Sequence, residues 1–184
     1  MKLEEKTLNS TLIHKGRITE YYDDVVLLPD GKTANREYVS HRGGAAILAL
    51  DEEDNVYLVR QFRYPYREEI LEIPAGKLEK GEIPVECAKR ELTEETGREC
   101  KEIIEYGVFY PTPGYSNEKL YIFRAIVGKD VGMRLDDTEF IDLVKTPLKN
   151  AYEMVLNGEI RDGKTAYAIM RYYAEKLDEK YKKR

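Results

Sequence analysis

Between Gly76 and Gly97 the chain reads GKLEKGEIPVECAKRELTEETG, and the placement of charge in this stretch limits the fold more than any other feature. VECAKRELTEETG has the 3.6-residue period of a helix, with Pro84 suited to its first turn and Gly97 to its C-terminal cap. The helix begins at Ile83 without a Ser, Thr or Asp side chain to cap it. Glu91 and Glu95 stand four apart and stack on one face, with Glu94 close to the same face. Such like charges repel, and a bare helix would suffer for it. Hard oxygen ligands converging on one spot are what Mg²⁺ or Mn²⁺ requires, so the pattern predicts a helix relieved by a divalent cation. Arg90 can reach Glu94 one turn on and orient it, and Gly76 and Gly81 let the preceding loop bend close to the helix.

Gly76 is followed after five residues by Glu82, and after seven more by Arg90-Glu91-Leu92-Thr93-Glu94-Glu95-Thr96-Gly97. This matches the Nudix box, Gx5Ex7REUxEExGU with U aliphatic, at every fixed position. Seven fixed residues, each used at no more than ~7%, coincide by chance in roughly one window in 10^8. The chain therefore resembles the Nudix family over most of its length, and is closest to the ADP-ribose pyrophosphatase branch. One departure is Arg98, where the family has an aliphatic residue; a local rearrangement at the helix end is expected there.

The resemblance implies an α/β fold, an α/β/α sandwich with a mixed sheet at 43–184, and an N-terminal antiparallel β appendage at 1–42. In this branch such an appendage joins two subunits, so a homodimer is expected. The implied reaction is attack of water on one phosphorus of ADP-ribose, giving AMP and ribose 5-phosphate. Mg²⁺, or Mn²⁺, would be held by Glu82, Glu91, Glu95 and the Ala75 carbonyl, with Glu94 and Arg90 in the catalytic set. The segment LDDTEF supplies loop acids, of which Glu139 or Asp137 is the expected base and Asp136 a weaker candidate. Arg63 and Glu72 align with substrate-contacting positions, Arg60 lies near them, and Pro113 stands where the branch has a proline. A guanidinium fork suits a diphosphate, and Glu72 could accept from an adenine amine or a ribose hydroxyl. Isolated Glu runs are ordinarily solvated faces, and Glu79, Glu86, Glu99 and Arg67 are read as surface charges.

Elsewhere, 11–41 alternates loosely around an Asp30-Gly31 turn, which reads as short antiparallel strands. Ala45 to Leu50 and Val56 to Phe62 form a hairpin around DEEDN, and EEILEIPAGKL is a strand broken at Pro74. Strands are expected at Lys101 to Tyr110, Leu120 to Val127 and FIDLV. Helices are expected at Leu148 to Leu156 and Thr165 to about Lys182, the last with Ile169, Tyr173 and Leu177 on its apolar face.

A net charge of -5 argues against a nucleic-acid footprint and so against RNA decapping. No apolar run approaches a membrane span, and the start MKLEEKTLNS is acidic where a signal peptide would be basic, so a cytoplasmic location is expected. Cys87 and Cys100 lack metal spacing and read as reduced thiols, and His14 and His41 as structural. Two rivals stay open: hydrolysis of another NDP-sugar such as GDP-mannose, and a non-catalytic module that senses ADP-ribose. The intact box and the lack of a helix-turn-helix extension argue against the second.

Overall fold

The alternating stretch near the N-terminus forms three strands. In the computed structural model, which describes residues 2–182, β1 (Lys6–Lys15), β2 (Thr19–Leu27) and β3 (Thr33–His41) make an antiparallel sheet in that order. Gly31, at φ 86°, turns the chain between β2 and β3, as the Asp-Gly pair predicts. Tyr22 and Tyr38, opposite each other in register, stack at 5.2 Å. Every residue of β1 is exposed, and its outer edge is unpaired among the described residues. This sheet and the segment Tyr110–Lys119 form one compact unit; residues 44–109 and 120–182 form the other.

The second unit is organised by β4 (Gly44–Leu50). Its sequence GAAILAL is apolar throughout, and all of it is buried, as a strand covered on both faces must be. The elements that follow are β5 (Asn55–Arg63), β6 (Glu68–Glu72), β7 (Ala75–Lys77), α1 (Pro84–Thr96) and β8 (Arg98–Phe109). After them come β9 (Leu120–Asp130), β10 (Ile141–Pro147), α2 (Leu148–Leu156) and α3 (Gly163–Lys182). The sheet runs β10-β5-β4-β9-β8, with β6 on β5 and β7 on β4; β4 pairs parallel with β9 and every other pairing is antiparallel. The period of two along β4 divides its side chains. Ala45, Ile47 and Ala49 pack with Cys87, Ala88 and Leu92 of α1, whereas Ala46, Leu48 and Leu50 pack with Leu148 and Ala151 of α2 and Ala168, Ile169 and Tyr172 of α3. A mixed sheet between helices results, which is the expected α/β/α sandwich.

Several boundaries differ from the sequence reading for physical reasons. The β4–β5 hairpin pairs only at Ala49–Leu50 with Tyr57–Val56, because β7 takes that edge of β4 at Gly44–Ala46 while β9 runs along the opposite edge. The Pro74 break separates two strands, and the Pro74 carbonyl accepts from Ile47 N at 2.9 Å. β8 starts at Arg98, three residues early, by continuing straight from the Gly97 cap. Asp162 caps α3 by accepting from Thr165 N at 3.0 Å, which moves the helix start to Gly163. Ile169 is buried and Tyr173 packs against the core beside Ala168 and Tyr172, but Leu177 is 42% exposed, so four-residue spacing overran the packed part of the helix at its last position. Among the described residues no helix is long and apolar enough to cross a membrane.

The DEEDN turn closes on Asp51. Its carboxylate accepts from Glu53 N at 3.1 Å and Asn55 N at 2.8 Å, and pairs with Lys145 of β10 at 2.6 Å. Burial opposes ionisation, but Lys145 and the Asn55 amide outweigh it and hold the carboxyl at about 2. A carboxylate held below its unfolded value stabilises the fold at pH above that value, and the contribution is lost as pH falls towards 2. Asp51→Ala should therefore cost about 2 kcal/mol in urea unfolding at neutral pH, and the deficit should shrink below pH 4. An equal deficit at both pH values would contradict the assignment.

Candidate active site

Helix α1 carries the site because its apolar stripe fixes its rotation. Cys87, Ala88 and Leu92 are fully buried against the sheet, so Arg90, Glu91, Glu94 and Glu95 lie to the side. Ile83 supplies no side-chain cap, Pro84 opens the helix, and Gly97 closes it at φ 68° with its N–H on the Thr93 carbonyl at 2.9 Å.

Strand β7 passes under the glutamates. Ala75 N donates to Glu95 Oε2 at 3.0 Å, and Glu95 is only 3% exposed. A Cβ built on Gly76 would lie 1.7 Å from Glu91 Oε1, so the close approach of this carboxylate to the backbone requires glycine. Arg90 spans the remaining carboxylates. Its Nε and Nη2 donate to Glu82 at 2.9 and 3.1 Å, and its Nη1 donates to Glu91 at 2.7 Å and Glu94 at 2.9 Å. The expected Arg90–Glu94 contact is thus part of a larger cluster. With the guanidinium in its centre, no three acidic, histidine or cysteine side chains among the described residues already converge as metal ligands.

Burial pushes the Glu95 carboxyl up to about 8, helped by the charges of Glu91 and Glu139, while Ala75 N and Arg63 act the other way. Burial also raises Glu91, with Arg90 opposing and Glu94 and Glu139 adding to it. Glu139 therefore lies within electrostatic reach of both. Its segment is anchored to α1: Val131 N donates to the Gly97 carbonyl at 2.8 Å, and Arg134 N to the Glu94 carbonyl at 2.9 Å. Glu139 N caps back onto the Asp136 carbonyl at 2.9 Å, and Asp136, Asp137 and Glu139 are all exposed.

A second charged network adjoins the strand before β7. Arg63 grips Glu72 through Nε at 2.6 Å and Nη2 at 2.7 Å, leaving Nη1 without a hydrogen bond among the described residues. Lys164 shares Glu72 Oε2 with Arg63 Nη2 and also binds Asp162 at 3.0 Å, and Glu72 is 2% exposed. Asp162 and Lys164 were not found from sequence. The only signal was the Asp-Gly-Lys-Thr run, where Asp162 is a helix cap. Arg60 is exposed on β5, opposite Asp142 of β10. Pro113 belongs to the first unit, in a turn whose Tyr115 carbonyl accepts from Val39 N at 2.8 Å.

The histidines, the cysteines and Arg98 lie as follows. His14 is exposed; His41 meets Glu118 at 3.3 Å and accepts from Gly43 N. Burial pushes the Cys87 thiol up to about 12 and raises that of Cys100, so neither is primed as a nucleophile. Arg98 packs at the helix end by lying 5.5 Å over the Tyr57 ring and pairing with Asp130 at 3.1 Å, although its buried Nε has no partner among the described residues.

Gly76→Ala would displace only the far end of Glu91, so the fold should survive with a thermal midpoint within about 4 °C of the parent. Affinity for Mn²⁺ should fall about tenfold, or ~1.4 kcal/mol, by calorimetric titration. Unchanged affinity would show that Glu91 does not depend on this approach.

Comparison with known proteins agrees with the geometry. The model of the NUDIX domain matches residues 40–172. An ADP-ribose pyrophosphatase from Bacillus subtilis is 42% identical over 169 residues, 91% of each chain. A methanol dehydrogenase activator from Bacillus methanolicus is 40% identical over 168 residues, 90% of this chain and 91% of its own. A GDP-mannose pyrophosphatase from Citrobacter koseri is 33% identical over 153 residues, 77% of this chain and 79% of its own. Glutamates in the box spacing, seated on α1 beside the backbone of Ala75 and Gly76, and a domain match across most of the sequence show that this chain belongs to the Nudix family of hydrolases.

Proposed function

We propose that the chain hydrolyses the diphosphate bond of ADP-ribose to AMP and ribose 5-phosphate, with Mg²⁺ as its cation and Mn²⁺ as a substitute. The observation that carries this reading is the buried Glu95–Glu91 pair held against the Ala75–Gly76 backbone. A carboxylate that is 3% exposed, with one amide donor and two acidic neighbours, is a donor set suited to a hard divalent cation. Glu91, Glu95, Glu82 and the Ala75 carbonyl would hold it. Bound there, such a cation neutralises diphosphate charge and lowers the pKa of the attacking water.

The remaining work falls to the chain itself. Arg90 keeps Glu82, Glu91 and Glu94 from repelling one another apart. Glu139, on a segment tied to α1 but exposed, is the base that takes the proton from water, with Asp137 as its alternate. Arg63 offers its remaining N–H edge to phosphate oxygens. Both Glu72 oxygens are engaged by Arg63 and Lys164, which favours Glu72 as the anchor of that guanidinium over the direct substrate contact expected from sequence.

The names of the relatives support ADP-ribose first and GDP-mannose second. Turnover measured across both with Mg²⁺ should favour ADP-ribose and yield AMP; preference for GDP-mannose would overturn the substrate but not the chemistry. Glu95→Gln keeps the shape and removes the charge, so kcat should fall at least about a hundredfold; retention above about a tenth, a loss of only ~1.4 kcal/mol, would refute Glu95 as a ligand. Glu139→Gln should lower kcat at unchanged cation requirement. If Glu139→Gln and Asp137→Asn both turn over normally, the base lies elsewhere.

A homodimer through the three-stranded sheet and a cytoplasmic location complete the reading. The first is supported by the unpaired edge of β1, where Leu8, Leu12 and Ile13 are 57%, 46% and 55% exposed. The second is in keeping with the free thiols Cys87 and Cys100. Light scattering should give twice the 21.4 kDa chain mass, and Leu12→Asp should halve it; a monomeric parent would overturn the dimer.

A further inference from the structure

The strand break at Pro74 lies directly before the backbone that meets the glutamates, and three elements hold it. β6 ends at Glu72 and β7 begins at Ala75, so the Ile73 amide falls outside both strands. It donates instead to Thr165 Oγ1 of α3 at 2.9 Å, in a buried contact between residues 92 positions apart. The Pro74 carbonyl accepts from Ile47 N of β4 at 2.9 Å, and Ala75 N donates to Glu95 Oε2 of α1 at 3.0 Å. Successive peptide groups are thus tied to α3, β4 and α1 in turn. Ile73, Pro74 and Thr165 are all fully buried, so solvent does not compete for these bonds.

The hydroxyl of Thr165 is itself oriented. Its Oγ1 donates to Asp162 Oδ2, which also accepts from Thr165 N and Lys164 Nζ, each at 3.0 Å. A carboxylate only accepts, so the hydroxyl proton is committed to Asp162 and the lone pairs are left to face Ile73 N. Capping α3 would need only the bond from Thr165 N to Asp162. The side chain reaches beyond its own helix to satisfy a buried donor in the chain that leads to β7.

We propose that Thr165 is a positioning residue for the carboxylate site: with its hydroxyl set by Asp162, it fixes the Ile73–Pro74 backbone so that the Ala75 peptide meets Glu95. It acts through Ala75 and not on the reacting atoms. Loss of the hydroxyl frees Ile73 and lets β7 shift beneath Glu95, which weakens the Ala75 contact and, with it, the hold on a cation. The second consequence rests on the cation-site reading; the first does not, and the two are measured separately.

Thr165→Val keeps the shape and removes the hydroxyl, whereas Thr165→Ser keeps the hydroxyl and removes a methyl, so it loses packing without losing the tie. Amide exchange followed by NMR before any cation is added, with Leu48 of β4 as the reference for global opening, should be about tenfold faster at Ala75 in Thr165→Val and within about twofold of the parent in Thr165→Ser. Affinity for Mn²⁺ by calorimetric titration should fall about tenfold in Thr165→Val and less than about twofold in Thr165→Ser. If Thr165→Val does not fold, Thr165→Cys, of similar bulk and with only a weak acceptor, carries the same expectations. Ala75 exchange unchanged in Thr165→Val overturns the proposal, as does Mn²⁺ affinity equal to that of the parent or weakened alike in Thr165→Val and Thr165→Ser. The expected exchange pattern in a parent that binds no Mn²⁺ would leave Thr165 as the anchor of Ala75 and refute the cation site.

Discussion

Carboxylates crowded onto one helix and its approach loop repel each other, and the rest of the site follows from how that repulsion is contained. Arg90 holds three of them, Glu82, Glu91 and Glu94, with a single guanidinium. Glu95 lies outside its reach in the hydrogen bonding and is held by the Ala75 amide instead. The arrangement works only if α1 cannot rotate, and Cys87, Ala88 and Leu92 packed on β4 and β9 prevent that. It also needs a strand that passes closely beneath, which Gly76 permits. Core, glycine and arginine thus serve one end: acidic oxygens kept close together without a fixed cation in the sequence to neutralise them all. Burial of such charge is unfavourable unless it is compensated, and this links the geometry to a mobile divalent ion.

Local signals made much of this legible before any coordinates. The period of α1, its proline start and its glycine cap are local, and the helix lies at Pro84–Thr96 as read. The strand read at Ala45 to Leu50 is β4, whose burial on both faces is a finding of the fold. What sequence did not reveal is non-local. The parallel pairing of β4 with β9 depends on a crossover that no turn signal marks. The three-residue β7 is too short to show a period, yet it carries Ala75 and Gly76. Lys164 meets Glu72 across 92 positions, and nothing adjacent to either predicts it. That contact changes the reading of Glu72, whose two oxygens are already bound. Leu177 illustrates the opposite error, a local period continued past the point where the sheet ends its support.

Departures from the family pattern are absorbed in the same physical terms. Arg98 replaces an aliphatic residue, and its stem and guanidinium still cover the helix end by lying over Tyr57, with Asp130 taking part of the charge. The buried Nε, without a partner among the described residues, is the cost of that exchange. The carboxylate cluster itself is built on α1, its approach loop and β7.

The glutamates of α1, seated over Ala75 and Gly76, are proposed to form a divalent-cation site. Calorimetric titration of Mn²⁺ into the parent and into Glu95→Gln tests this directly, before any substrate is added. Saturable binding in the parent, weakened at least about tenfold in the variant, is the predicted result. No saturable binding in the parent, or equal affinity in the two proteins, would contradict it.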